Sequence, residues 1–150
     1  MMLSIAQDRL FRPVDVASLA MFRVMFGAIM LWEVGRFYAY GWIASYSLPP
    51  FQFKYFGFGW VQPWPGDGLY WHFGGLAVLA FLIMVGAFYR VAMALFFVGF
   101  TYVFLLDQAN YLNHLYLVCV VAALMCVLPA HRAFSVDARL WNLRRSDTVP

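Results

Sequence analysis

LYWHFGGLAVLAFLIMVGAFYRVAMALFFVGFTYVFLL, residues 69 to 106, is the stretch on which the fold turns. Its only formal charge is Arg90, which separates an apolar run at 69–88 from another at 91–106. A helix needs ~20 residues to cross the hydrocarbon of a bilayer, and ~17 is near the lower limit. The first run has that length, and the second reaches it when its ends extend through Arg90 and Asp107. Neither run alternates as a strand would, and an open sheet edge cannot face lipid. The spacing predicts two membrane helices back to back, joined by a tight turn at Arg90.

The rest of the 150-residue chain agrees: 65% of it is hydrophobic, 21% aromatic and only 11% charged. Ordinary globular domains carry roughly 25% charged residues. A small domain buries only about two-thirds of its surface, too little to hide this much apolar area from water. Two further apolar segments, 16–41 and 111–128, complete an expected all-α bundle of about four transmembrane helices, 1–150, in one domain. The net charge of +3 and the lack of a Lys/Arg run exclude a nucleic-acid partner. Cys119 and Cys126 sit inside an apolar run and read as buried free thiols. The three histidines lack an acidic cluster, so no metal site is expected.

Basic residues set the expected orientation. Arg9, Arg12, Arg90, Arg132, Arg139, Arg144 and Arg145 fall on one side of four spans. Lys54, Arg36, Asp67 and Asp107 are expected on the other. The positive-inside rule then puts both termini in the cytoplasm, in a bacterial inner membrane or an ER-like membrane. The connection from Trp42 to Gly68 is rich in Phe, Tyr, Trp, Pro and Gly, as expected of an aromatic loop at the membrane interface. A lid over a flat apolar ligand is its other reading. Residues 134–145 read as an amphipathic tail helix opened by Ser135.

Polar residues at membrane depth are the candidates for function. Arg23 lies about 10 Å into the first segment and is expected to snorkel to the headgroups, with an ion pair inside the bundle as the alternative. Glu33 and Arg36 form an i,i+3 pair. The richest cluster is FLLDQANYLNHLYL, residues 104–117. On a helix, Asn110, Asn113 and His114 share a face, and Asp107 joins it or caps its start. The face serves as interhelical glue or carries an acid–base or ligand-binding imidazole. His72, on the same outer side, could pair with His114 around a haem.

Three segments resemble one family: LFRPVDVASLAMFRVMFGAIML (10–31), YRVAMALFFVGFTYVFLLDQANYLNHLYL (89–117) and FSVDARL (134–140). They look like the N-terminal half of vitamin K-dependent gamma-carboxylase and the wider HTTM (horizontally transferred transmembrane) domain group. The resemblance implies a multispanning membrane enzyme. In such an enzyme, oxygen-driven epoxidation of reduced vitamin K, or another quinol, makes a base. That base deprotonates a glutamate gamma-carbon of a protein substrate, which captures CO2. The family's Asn-His element falls on Asn113 and His114, which are therefore the implied catalytic residues. The base-forming lysine of the family matches no residue here; Lys54, the lone lysine, lies in the aromatic loop. The chain is thus expected to be an N-terminal fragment, incomplete for carboxylation, that joins a C-terminal part of the same protein. A non-catalytic membrane subunit and a small haem- or quinone-binding protein are the alternatives.

Overall fold

The computed structural model describes residues 14–46, 53–110, 112–130, 134–137 and 148–149. Four helices follow in order: α1 (Val16–Ala39), α2 (Gly68–Val85), α3 (Tyr89–Leu106) and α4 (Asn113–Val127). Single 3-10 turns occupy Trp42–Tyr46 and Gln108–Asn110. Two extended pairs, β1 (Val14–Asp15) and β2 (Thr148–Val149), lie antiparallel, with Val14 opposite Val149. The architecture is all-helical, and α1, α2 and α3 are each long and apolar enough to span a membrane. The fourth helix is shorter than expected. At 1.5 Å per residue its 15 residues rise about 22 Å, less than the ~30 Å of hydrocarbon.

Each helix buries one stripe at helical spacing. On α3 the stripe is Tyr89, Ala92, Met93, Phe96, Phe100, Val103 and Leu106; on α2 it is Leu69, Phe73, Leu76, Ala80 and Ile83. The opposite faces are apolar too: Val78, Phe81, Leu95, Val98 and Leu124 are all exposed. A helix that is hydrophobic all round belongs in lipid or in a large core. A chain of this size has no large core, so its outer faces are lipid faces. Association between such helices rests on close packing rather than on hydrophobic burial. Gly27 shows this directly: a Cβ there would stand 2.7 Å from Met84 and 2.8 Å from the Ala80 carbonyl. Nothing larger than glycine lets α1 lie so close to α2. Stacked Phe37 and Phe73 (4.9 Å) fill that seam, and edge-to-face Phe26 and Phe96 (5.9 Å) join α1 to α3.

Neighbouring helices run antiparallel. Tyr38 near the end of α1 donates to the Tyr70 carbonyl at the start of α2. Tyr89 at the start of α3 donates to the Met125 carbonyl near the end of α4, at 2.7 Å. One end of the bundle therefore carries the α2–α3 turn and the end of α4. The other carries the long loop and the α3–α4 connection, and is called the loop end below.

At the turn end, α2 stops at Gly86 in the left-handed conformation (φ 72°), with Gly86 and Ala87 amides returned to the Leu82 carbonyl. Arg23 is found there, and it does not snorkel. It is fully buried, and its guanidinium donates to the carbonyls of Ala130 (2.9 Å) and Phe134 (2.6 Å). The reason is geometric. Arg23 continues the buried stripe of Ala20, Phe26 and Met30, and the chain leaving α4 brings the Ala130 and Phe134 carbonyls to that level. Asp137 completes the joint by accepting from the Phe88 and Tyr89 amides (2.8 and 2.9 Å), so a distant carboxylate caps α3.

Of the expected tail helix 134–145, only 134–137 is described; the remainder, His131 and the terminal arginines lie outside the described residues. Cys119 is buried and Cys126 partly buried, both as free thiols.

Candidate functional site

At the loop end, α3 finishes at Leu106 because Asp107 turns extended (φ −150°, ψ 120°). A second helix starts only at Asn113, after the 3-10 turn Gln108–Asn110 and the extended Leu112. The expected single face of Asp107, Asn110, Asn113 and His114 is therefore not formed. Asp107 neither joins nor caps α4, Asn110 sits in the 3-10 turn, and only Asn113 and His114 share a helix.

Asp107 has another task. It is buried, and its Oδ1 accepts from the amides of Phe53 (3.1 Å) and Ala109 (3.0 Å). The Gln108 amide returns a bond to the Phe53 carbonyl at 2.7 Å. Lys54 donates to the Leu106 carbonyl at 2.9 Å, placing a cation where the α3 dipole is negative. Partial burial lowers the Lys54 ammonium pKa, and the nearby Asp107 carboxylate opposes that shift. Burial first, then Asp107 and Tyr55, push the Tyr46 hydroxyl up to about 12. This hub ties the aromatic loop to the end of α3. Sequence reasoning missed it, and the one available signal was a lone lysine in a loop otherwise almost free of charge.

The loop also contacts the last turns of α3 through Tyr102. Tyr102 donates to the Gln62 carbonyl at 2.7 Å, and the Trp64 ring lies 5.8 Å from Tyr102. Beneath it, His72 Nε2 bonds the Gly99 carbonyl at 2.9 Å and its ring rests 5.0 Å from Tyr102. The carbonyl can only accept, so that nitrogen carries the proton. The loop is thus docked on α3 as well as rich in exposed aromatics, Phe56 and Trp60 among them.

Asn113 and His114 occupy the first turn of α4 with exposed side chains. Beside them ends an aromatic ladder: Tyr55 stacks on Phe104 at 5.4 Å, and Phe104 meets Tyr116 at 6.2 Å. Tyr116 is 54% exposed and lies three residues beyond Asn113, on the same side of the helix. Asn113 and Tyr116 thus set an amide beside an open aromatic edge on which a flat ring with polar substituents can stack; His114 is exposed in the same first turn but, two residues from Tyr116, points to a different side of the helix. The structure does not bring His72 and His114 together as a described pair.

The other polar candidates lie elsewhere. Glu33 and Arg36 pair at 2.8 Å as the spacing implied, and the Arg36 guanidinium stands 5.0 Å over the Trp42 ring. Arg23 belongs to the turn end. A family model described as the HTTM domain matches residues 11–150. No solved structure matches the chain.

Proposed function

The chain belongs to the HTTM domain family, and from that premise we propose that it is a quinol-handling integral membrane module of the gamma-carboxylase type. The supporting observation is the exposed edge of Asn113 and Tyr116 at the end of the Tyr55–Phe104 ladder, with the His114 imidazole exposed in the same first turn of α4. A reduced vitamin K or another quinol would stack on Tyr116. Asn113 would hold a ring oxygen by hydrogen bonding, and His114 would take or return the proton of a ring hydroxyl. The Asp107–Phe53 and Lys54–Leu106 bonds fix the turn that presents these groups. In this reading both termini are cytoplasmic and the loop end faces outward.

Carboxylation of a glutamate-containing protein with O2 and CO2 would also need the family's base-forming lysine, which a C-terminal part of the same protein would supply. Lys54 does not take that role, since its amine is committed to the Leu106 carbonyl. The reading therefore assigns to this chain the binding of the ring and proton transfer at His114.

The test is quenching of intrinsic fluorescence by reduced vitamin K, with the protein in lipid nanodiscs. Wild type should saturate, while His114→Ala and Tyr116→Ala should each weaken binding at least tenfold. Equal affinity in all three overturns the reading. A non-catalytic membrane subunit is the second reading, favoured by the continuous exposed face of Asn113, Tyr116, Leu117 and Val120. In that case His114→Ala impairs assembly with a partner and leaves quinol affinity unchanged.

A further inference from the structure

A groove of about 560 Å³ runs along α1 and is lined by none of the residues of the loop-end site. Small Ala28 and Gly35 and large Trp32, Tyr40 and Met84 line it, and Arg36 stands in its lining towards the loop end; Gly35 is called its floor below. The floor is open: a Cβ built on Gly35 meets nothing within 4 Å. Trp32 is 73% exposed, so the groove opens onto the surface that faces lipid.

From these features we propose that the groove is a specific site for one phospholipid, with an acyl chain along α1 and the phosphate on Arg36. Three observations carry this. The first is continuity with the bilayer. A hollow on a lipid-facing surface forfeits dispersion contacts unless something apolar fills it, and acyl chains are the neighbours at hand. The second is length. From Arg36 to Ala28, at 1.5 Å per residue, the groove runs about 12 Å, within the ~15 Å hydrocarbon depth of a single leaflet. A chain entering at Arg36 can therefore lie along the groove without leaving its own leaflet. The volume falls within the ~300–1,000 Å³ of ordinary ligand sites.

The third is the head position. The described hydrogen bond of Arg36 to Glu33 uses Nη1 alone. A guanidinium has five N–H donors in a planar fork, and phosphate accepts them bidentately. Arg36 is 42% exposed, and its guanidinium carbon lies 5.0 Å and 6.0 Å from the Trp42 and Tyr40 rings, which belong at headgroup level. Glu33 orients the fork without occupying it.

Native mass spectrometry of the protein released from nanodiscs tests this, with dioleoyl phosphatidylglycerol as probe and dioleoylglycerol as its headless counterpart. Wild type should retain one phosphatidylglycerol, at least fivefold more than the diacylglycerol. Gly35→Phe, which fills the floor, should cut that retention at least fivefold. Arg36→Gln should make the two lipids equivalent. Val98→Phe, on the lipid face of α3, should change nothing. If Gly35→Phe does not fold, Gly35→Leu in the same open slot takes its place. Retention by the filled variant equal to wild type overturns the proposal, as does equal loss in Val98→Phe. Co-purification of a prenyl quinone in the groove, or a dimer abolished by the Gly35 variant, overturns it in favour of another occupant.

Discussion

Gly86→Ala tests the joint at the turn end, and its cost can be worked from three contacts. The residue sits at φ 72°, where an L side chain costs ~1–2 kcal/mol. The new methyl carbon would stand 2.6 Å from Arg23 Nη1 and 2.9 Å from its Cζ, and would also press on the Ser135 side chain. Nη1 is the atom that donates to the Ala130 carbonyl, so relieving the overlap breaks that bond. A hydrogen bond to a charged group contributes ~1.5–3 kcal/mol. Conformational strain and the lost bond together give a destabilisation of about 2.5–5 kcal/mol. The assay is unfolding by SDS titration in mixed micelles, run as a double-mutant cycle with Arg23→Met. In the Arg23→Met background the strain and the Ser135 overlap persist while the guanidinium overlap is gone. The cost of Gly86→Ala should then fall by ~1.5–3 kcal/mol. A loss under ~1 kcal/mol in the wild-type background, or strictly additive variants, refutes the packing of Arg23 against Gly86.

Asp107→Ala should leave the Phe53 and Ala109 amides without their acceptor, at ~1–3 kcal/mol per orphaned donor, and hydrogen exchange at those amides should accelerate. Asp107→Asn, which keeps Oδ1, should lose less by the same measurement. His114→Ala should shift stability by no more than ~0.5 kcal/mol, because the side chain is exposed; a larger loss in the SDS titration would mark a structural role. The Lys54 pKa is lowered in the fold below its usual 10.5, so the unfolded chain binds more protons between the two values. Stability should therefore rise as pH climbs through that window, and Lys54→Met should flatten the rise in a pH series of unfolding curves.

Features written locally in the chain were legible in the sequence. The apolar runs at 16–41, 69–88, 91–106 and 111–128 correspond to helices Val16–Ala39, Gly68–Val85, Tyr89–Leu106 and Asn113–Val127. The Glu33–Arg36 pair was readable because its partners lie one turn apart. What escaped depends on distance along the chain. Arg23 looked like a snorkelling residue because its acceptors, Ala130 and Phe134, are 107 and 111 positions away. Asp107 looked like part of a helical face because helical periodicity continues across it; the amide of Phe53, 54 positions back, draws it into the extended conformation instead. The candidate site was half legible. The Asn113–His114 pair could be picked out by residue type, whereas the Tyr55–Phe104–Tyr116 ladder beside it joins three segments and has no local signature.

The Arg23 joint also has a temporal side. Its carbonyl partner on Phe134 is synthesised 111 residues later. At ~5–20 residues per second, that leaves the guanidinium in a nascent helix for about 5–20 s before its acceptor exists. The bonds from Arg23 to Ala130 and Phe134 therefore close only after all four described helices have been made. The contact that fixes one end of α1 is thus among the last in this part of the bundle to form, although α1 itself precedes the other three.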